Sequence, residues 1–271
     1  MKQLIVFLSH ETSIFALAQF QKLANDLGED DYDFTYLFNN VMLSKEQMNV
    51  PKCIERYVYV QDKSQLEDIE NYKFDLFMSL SDFRKRVQRN SRYFCPNYAI
   101  FLYLHNIDYS KYDYIYFIEY DVYFNGDWKT IFDDLNNNLL EYDFLTTNIC
   151  TYNEHQRWNW WRRGNKKLLE HDLSYYVKCL NNFCRFSNKA IKSLLNAYYS
   201  GQYICFYEIF WPTYLLKNGF KIGDIGDNRT YTINGYEHKY YSTSHFSYDP
   251  VIDFKTITLY NKLYHPVKNY E

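Results

Sequence analysis

The sequence predicts an α/β protein with a doubly wound, mostly parallel central sheet flanked by helices, and with an irregular, aromatic-rich C-terminal part. Two observations predict this class. Short apolar and β-branched runs alternate with segments of helical periodicity, which is the pattern of βαβ units. The run from Tyr114 to Ile118 also ends in two carboxylates, Glu119 and Asp121, and open α/β sheets place their sites at the carboxyl ends of such strands.

The boundaries of the first elements are marked most clearly. Residues 4–8 form an apolar run that predicts strand one. Thr12 or Ser13 can cap a helix whose apolar residues begin at Ile14, and Gly28 ends that helix. The same patterns predict further strands at 33–38, 57–60, 114–118, 143–147, 178–187 and 220–223, a short extended piece at 74–80, and helices at 95–105, 129–140 and 189–199.

Length, charge and cysteine usage limit the functional class. A chain of 271 residues fits one large α/β domain, and its net charge of −3 provides no basic field for nucleic acid. The six cysteines form neither a Cys-x-x-Cys pair nor a zinc spacing, which predicts free thiols in a reducing compartment. The first apolar run is too short for a signal peptide, and no run reaches the roughly 20 residues of a membrane span. We therefore expect a cytoplasmic protein.

Glu119 and Asp121 stand two residues apart at the end of the predicted central strand. Side chains at i and i+2 of an extended strand point to one face, so both carboxylates can meet at one point. Facing acids repel, and a cation between them removes the repulsion; oxygen ligands select Mg²⁺, Mn²⁺ or Ca²⁺. The alternative is an edge turn with solvated acids. An EF-hand is excluded, because Tyr123 and Phe132 occupy two of its ligand positions.

Two segments with unusual side chains flank this strand. Residues 84–92 carry five cations, which can clamp a diphosphate or simply form a solvated helix face. Residues 152–164 place three tryptophans among arginines and break all periodicity. Aromatic faces stack on the apolar faces of sugar rings, so this tryptophan segment predicts an acceptor-binding wall, unless it folds back into the core. The candidates for acceptor contacts are Trp158, Trp160, Trp161 and His245.

The order of strand one, basic segment, helix and acid-terminated strand resembles that of the GT-A class of nucleotide-sugar-dependent glycosyltransferases, over roughly residues 1 to 223. Members of that class carry an Asp-x-Asp motif, or a variant of it, at the end of a central strand, where it holds a divalent ion against the donor diphosphate. The resemblance implies that Glu119-x-Asp121 is this motif. It further implies Mn²⁺ or Mg²⁺ as cofactor, with Asp121 as the direct ligand and Glu119 in place of the first Asp.

The resemblance also implies a catalytic acid and a third metal ligand. Inverting members have an acid on a helix after the acceptor loops, which acts as general base on the acceptor hydroxyl. Glu208 fits this role, and its aromatic surroundings should raise its pKa. The alternative is a buried Glu paired with a nearby Arg, such as Arg185 or Arg229. Several members add a late histidine to the metal site, for which His265 fits and His245 is the runner-up.

The remaining implications concern substrates and domain organisation. The resemblance assigns residues 1–150 to the nucleotide-sugar-binding half of a single domain, and residues 151–271 to the acceptor-binding half with the C-terminal tail. The implied reaction moves a sugar from a nucleotide-sugar to a glycan or lipid-linked acceptor of a bacterial surface polysaccharide, with inversion because one isolated base is present. A lipid-linked acceptor would suit peripheral association with the inner face of the plasma membrane. The implied donor contacts are Ser9, His10, Asp62, Arg89, Arg92, Asn97 and Lys268.

Two other functions stay open at this point. A non-catalytic glycan-binding protein could keep the aromatic surface on a degenerate glycosyltransferase scaffold. A nucleotidyltransferase on a similar sheet would need a glycine-rich phosphate loop after strand one, and residues 9–13 contain no glycine. The chain also has no Gly-x-Gly-x-x-Gly, Walker or Gly-x-Ser-x-Gly sequence, which argues against dinucleotide-binding, P-loop and hydrolase functions.

Overall fold

The structure is a computed structural model that describes residues 1–10, 13–38, 55–60, 96–159, 161, 172–199 and 206–268. The extended piece at 74–80 and the basic segment at 84–92 lie outside the described residues, as do Asp62, Arg89, Arg92 and Trp160. Asn97 lies in a described helix, but its side chain is outside the described part of the chain.

The described elements follow the predicted alternation of strands and helices. The strands are β1 (Gln3–Ser9), β2 (Tyr32–Phe38), β3 (Val58–Val60), β4 (Tyr114–Glu119), β5 (Tyr123–Asn125), β6 (Phe144–Thr151), β7 (Val177–Ser187), β8 (Ile222–Asp224), β9 (Ile252–Asp253), β10 (Lys262–Tyr264) and β11 (Val267–Lys268). The α-helices are α1 (Ile14–Leu27), α2 (Pro96–His105), α3 (Trp128–Asn138), α4 (Asn188–Tyr199) and α5 (Tyr207–Lys217).

Seven strands form one central sheet in the order β3-β2-β1-β4-β7-β6-β8. Four neighbouring pairs are parallel, namely β1 with β2, β1 with β4, β2 with β3, and β6 with β8. Strand β7 runs antiparallel to both of its neighbours, β4 and β6. The sheet is therefore mostly parallel, as the sequence predicts, although the sequence did not indicate the reversed direction of β7.

Helices cover both faces of the sheet. Every residue of β1 is buried, and its side chains alternate between two hydrophobic clusters. Val6 packs in the cluster that includes residues of α2, α4 and α5, whereas Phe7 packs in the cluster that includes residues of α1 and α3. This two-sided burial explains why β1 is a continuous apolar run in the sequence, and it confirms the doubly wound class.

The predicted caps of α1 and the predicted free thiols of three cysteines are present in the structure. The Ser13 side chain accepts a hydrogen bond from the main-chain N–H of Ala16 at 3.2 Å, and Gly28, with φ +72°, ends α1. Cys150, Cys179 and Cys184 are buried free thiols. Within the described ranges, none of the helices has both the length and the hydropathy needed to cross a membrane.

The strand order reverses beside β1, and this reversal positions the candidate site. The neighbours of β1 are β2 on one side and β4 on the other, and Leu8 of β1 stands opposite Glu119 of β4. Open α/β sheets bind ligands in the crevice outside the carboxyl ends of the strands at such a point. The C-terminal tail returns to the same place, because β10 pairs with β5 and the N–H of Val267 donates to the carbonyl oxygen of Asp121 at 2.9 Å.

Candidate functional site

A cavity of about 810 Å³ opens at the carboxyl ends of β1 and β4. Its walls come from these two strand ends, from the tryptophan segment, from the start of α5 and from the C-terminal tail. Segments that are far apart in the sequence therefore contribute to one space. Among the lining residues, those named from the sequence are Ser9, His10, Glu119, Asp121, Trp158, Glu208, His265 and Lys268.

Glu119, Asp121 and His265 form a compact cluster in this cavity. One potential ligand atom from each side chain lies within 4.8 Å of the others. The Nε2 atom of His265 is 3.4 Å from Oδ1 of Asp121 and 4.0 Å from Oε2 of Glu119. The other ring nitrogen, Nδ1, lies 2.7 Å from the carbonyl oxygen of Ser247. A proton on Nδ1 would satisfy that carbonyl and would leave the Nε2 lone pair directed toward the two acids.

A turn, rather than a continued strand, brings the second acid into the cluster. Residues 114–118 of β4 are buried, and the chain leaves the strand after Glu119, whose carbonyl oxygen accepts a hydrogen bond from Val122 N–H at 3.0 Å. The extended geometry therefore does not continue through Asp121, and the two carboxylates meet across a turn. The tail fixes the turn from the other side through the hydrogen bond from Val267 to Asp121.

Burial and mutual repulsion dominate the electrostatics of the cluster. Burial and the charge of Asp121 raise the pKa of Glu119 to about 7, although the amide of Asn182 donates to its Oε2 atom. Burial would also raise the pKa of Asp121, but the nearby His265 and Lys268 outweigh it and hold that pKa below its usual value. The two acids likewise raise the pKa of the His265 imidazole against the opposing effect of burial.

The cluster fits a divalent cation. Oδ1 of Asp121 is buried and accepts no hydrogen bond within the described part of the chain, and the imidazole Nε2 of His265 lies 3.4 Å from it. Buried acceptors without a donor cost free energy, and a cation satisfies them. Two carboxylates and one imidazole are a donor set suited to a first-row divalent ion such as Mn²⁺.

Glu208 stands apart from this cluster, in the first turn of α5. It is 3% exposed, and burial raises its pKa to about 8. Neither proposed arginine partner contacts its carboxylate: Arg185 donates to main-chain carbonyls at the end of α3, and Arg229 pairs with a neighbouring aspartate at 3.1 Å. The hydroxyl of Tyr248 donates to Oε2 of Glu208 instead. Among the described residues, the pairing of Glu208 with Arg185 or Arg229 is therefore wrong.

One tryptophan of the tryptophan segment lines the cavity and another packs in the core, so each of the two roles considered for the segment applies to part of it. Trp158 lines the cavity, and its ring has the ammonium group of Lys178 at 4.9 Å. Trp161 is only 2% exposed and packs in the core, with its ring centroid 5.0 Å from that of Trp158 and nearly perpendicular to it. Its indole N–H donates to the carbonyl oxygen of His155 at 2.8 Å. Trp161 is thus a buried residue that packs edge-on against the ring of Trp158, which corrects its assignment as an acceptor contact.

His245 also differs from its assignment. It does not line the cavity; its Nδ1 atom is 2.9 Å from the hydroxyl of Ser242, and its carbonyl oxygen accepts from His265 N–H at 2.9 Å. Its position supports the tail that carries His265, rather than an acceptor contact or a metal ligand. The two strand-end residues, Ser9 and His10, do line the cavity, and the His10 ring meets that of Tyr120 edge-on at 4.9 Å.

Sequence reasoning missed several lining residues. Asn182 had a usable signal, because an amide inside an eleven-residue buried strand needs a polar partner, here Glu119. Tyr248 had none, since it is one of 31 tyrosines in an irregular tail. Others that the structure adds include His155, Arg157, Asn159, Tyr207 and Asp249.

No protein-family model matches the chain, and no curated protein matches it significantly. The solved structures that it resembles include the galactosyltransferase LgtC in complex with donor and acceptor sugar analogs, with a TM-score of 0.42 and 10% identity over 82% of this chain and 73% of that chain. Another is mouse xyloside xylosyltransferase 1 in its apo form, with a TM-score of 0.37 and 14% identity over 81% and 76%. A third is A197 from STIV, with a TM-score of 0.25 and 12% identity over 71% and 68%. The first two are glycosyltransferases, but with TM-scores below 0.5 these likenesses carry no conclusion about the activity of this chain.

Proposed function

We propose that the protein is a metal-dependent glycosyltransferase that moves a sugar from a nucleotide-sugar donor to a hydroxyl of a glycan or lipid-linked acceptor, with inversion. One observation carries the proposal. A single cavity is lined both by the cation-binding cluster of Glu119, Asp121 and His265 and by the separate buried acid Glu208. Sugar transfer needs positive charge at the diphosphate leaving group and a base at the acceptor hydroxyl. The cluster could provide the first and Glu208 the second, within the same cavity.

The cluster would hold Mn²⁺ or Mg²⁺ on the donor side. When bound, the cation would offset the negative charge that develops on the leaving diphosphate. Lys268 lines the same cavity and adds positive charge near Asp121. Asn182 orients the Glu119 carboxylate through its amide N–H. Glu119 and Asp121, together with Ser9 and His10 at the end of β1, support a donor site built mainly from residues 1–150, to which Asn182, His265 and Lys268 add contacts from the second half.

Glu208 would act as the general base on the acceptor side. A base is most effective when its pKa lies near the working pH, and burial brings the Glu208 pKa to about 8. A single base suffices for inversion, because the acceptor oxygen attacks the anomeric carbon directly. The ring of Trp158 would provide an apolar surface for an acceptor sugar in the same cavity as this base. Residues 151–271 would therefore form the acceptor half and the tail.

The cellular setting follows from the proposed substrates. Nucleotide-sugars for surface polysaccharides are made in the cytoplasm, so we propose a bacterial glycan-assembly enzyme that acts there. A lipid-linked acceptor would bring it to the inner face of the plasma membrane as a peripheral protein.

The test is turnover of a panel of nucleotide-sugars with Mn²⁺, followed by NMR of the product's anomeric configuration. We expect turnover that is lost without the cation and in Asp121→Asn. The control is Asp133→Asn, which changes a partly exposed acid on α3 that pairs with Lys129. Retention of configuration would contradict Glu208 as base while leaving glycosyl transfer intact. Binding of sugars without any turnover would instead favour the non-catalytic glycan-binding alternative.

A further inference from the structure

Tyr248 contacts the proposed base from the C-terminal tail. Its hydroxyl donates a hydrogen bond to Oε2 of Glu208, and the residue also lines the cavity, where it is 44% exposed as a whole. The polar end of this side chain is therefore turned to the buried acid, while much of the rest faces the open space. Glu208 itself is 3% exposed, so its environment is set by neighbouring protein groups rather than by solvent.

The two oxygens of Glu208 are not equivalent. Oε2 accepts from Tyr248, whereas Oε1 accepts no hydrogen bond from the described residues. A hydrogen bond at one oxygen restricts rotation of the carboxylate and so limits the directions in which its second oxygen can point. Because Glu208 lines the cavity, the second oxygen is the one available to an acceptor hydroxyl.

This inference rests on the proposed function. We propose that Tyr248 is a positioning residue for the base: its hydroxyl holds Oε2 of Glu208, presents Oε1 to the acceptor and favours the ionised carboxylate. A tyrosine is well suited to this role. An arginine in the same place would add a full counter-charge and would make the carboxylate a weak base, whereas a neutral phenol orients it and lets it keep most of its basicity.

The same piece of tail also holds the metal-binding cluster. The carbonyl oxygen of Ser247 is the partner of Nδ1 of His265, and the next side chain, Tyr248, is the partner of Glu208. Two successive residues thus orient the imidazole of one site and the carboxylate of the other. Docking of this segment would set both sites at once.

Several charged or titratable groups act on Glu208, so a pH–rate profile alone would not isolate the contribution of Tyr248. Lys178 on β7 and His265 on the tail favour its ionised form, and Glu119 on β4 opposes it. Tyr207 on α5 and Cys179 on β7 are neutral neighbours that interact with Glu208. The test therefore needs a signal from the Glu208 carboxyl itself.

The experiment compares wild type with Tyr248→Phe, which keeps the ring and removes the hydroxyl. In ¹³C NMR titrations of the enzyme, with the Glu208 carboxyl assigned by its loss in Glu208→Gln, we expect the Glu208 pKa to rise by about one pH unit in the variant, because the donor to its charged form is gone. We also expect kcat to fall about tenfold with an unchanged acceptor KM, since orientation of the base is lost. Tyr175→Phe, which removes an exposed hydroxyl outside the cavity, should change neither quantity.

Two results would overturn the proposal directly. One is an unchanged Glu208 pKa in Tyr248→Phe. The other is a raised acceptor KM with an unchanged kcat, which would make Tyr248 a substrate contact rather than a positioning residue. If Glu208→Gln keeps full turnover, the base assignment itself fails, and the role of Tyr248 falls with it even where the NMR shift persists. The NMR titration thus tests whether Tyr248 acts on the Glu208 carboxyl, whereas the kinetics of Glu208→Gln test whether Glu208 is the base of the proposed reaction.

Discussion

The imidazole Nε2 of His265 lies 3.4 Å from Oδ1 of Asp121, although one residue belongs to the tail and the other to the turn after the central strand. The hydrogen bond from Val267 N–H to the Asp121 carbonyl oxygen, at 2.9 Å, ties the same two segments. The cluster therefore forms only when the tail has docked on the sheet. Because a cation that binds only the docked form stabilises it, metal binding and tail docking should reinforce each other.

Replacement of His265 tests its role as third ligand. We expect His265→Gln to lower Mn²⁺ affinity about 10- to 100-fold in calorimetric titrations, because an imidazole donor is lost from the cluster. The matched control is His245→Gln, which changes a tail histidine that does not line the cavity. An equal loss of affinity in both variants would show that the tail, rather than the imidazole, is what the cation requires.

The pH dependence of cation binding follows from the pKa shifts in the cluster. A cation needs deprotonated ligands, and protons compete for Glu119, whose pKa is about 7, and for His265, whose pKa is raised. We expect Mn²⁺ affinity to rise between pH 6 and pH 8, with proton release on binding. Calorimetry in buffers of different ionisation enthalpy measures that release. A flat pH profile, or proton uptake on binding, would contradict the proposed ligand set.

The buried Glu208 carboxyl should lower the free energy of unfolding at neutral and alkaline pH. Its folded-state pKa of about 8 lies above the unfolded value, so the folded state binds more protons and the free energy of unfolding falls as pH rises from about 4.5 to about 8. Glu208→Gln mimics the protonated acid and escapes this cost. We expect its stability gain over wild type to grow by at least about 1 kcal/mol between pH 5 and pH 8 in denaturant titrations. A gain that does not depend on pH would argue against a raised Glu208 pKa.

Substitutions of Trp158 and Trp161 should have different effects, the first on acceptor binding and the second on the stability of the fold. Trp161 is a buried core residue, so Trp161→Ala should lower the free energy of unfolding by about 3–5 kcal/mol. Trp158→Ala removes a cavity-lining ring and should mainly raise the acceptor KM, with a smaller loss of stability. Denaturant titrations and acceptor kinetics on both variants check this contrast. Equal effects on KM would mean that Trp158 is no stacking surface.

Local patterns were enough to predict most of the sheet. Strands such as β1 and β4 are buried on both faces, so their sequences are continuous apolar runs. Such runs can be recognised without knowledge of the segments that pack against them. Glu119 and Asp121 could be recognised for a similar reason, because they lie together at the end of one such run. The direction of β7 was missed, since apolar content does not distinguish parallel from antiparallel pairing in a buried strand.

Contacts made by the tail could not be predicted in this way. His265 was named through a resemblance, and Tyr248 was not named at all, because the path of an irregular segment is fixed by tertiary hydrogen bonds rather than by periodicity. The same limit explains the wrong partner for Glu208. Arg185 was a reasonable choice from sequence, but its guanidinium is used by the carbonyls at the end of α3.

The central claim is that Glu119, Asp121 and His265 hold a divalent cation against a nucleoside diphosphate. The most direct measurement is the thermal unfolding midpoint with Mn²⁺, with uridine, guanosine and cytidine diphosphates, and with each pair, for wild type, Asp121→Asn and the control Asp133→Asn. We predict that one diphosphate with Mn²⁺ raises the midpoint by more than the sum of the separate shifts in wild type and in Asp133→Asn, and that this excess vanishes in Asp121→Asn. The absence of a shift with every pair, or an equal excess in Asp121→Asn, would contradict the account.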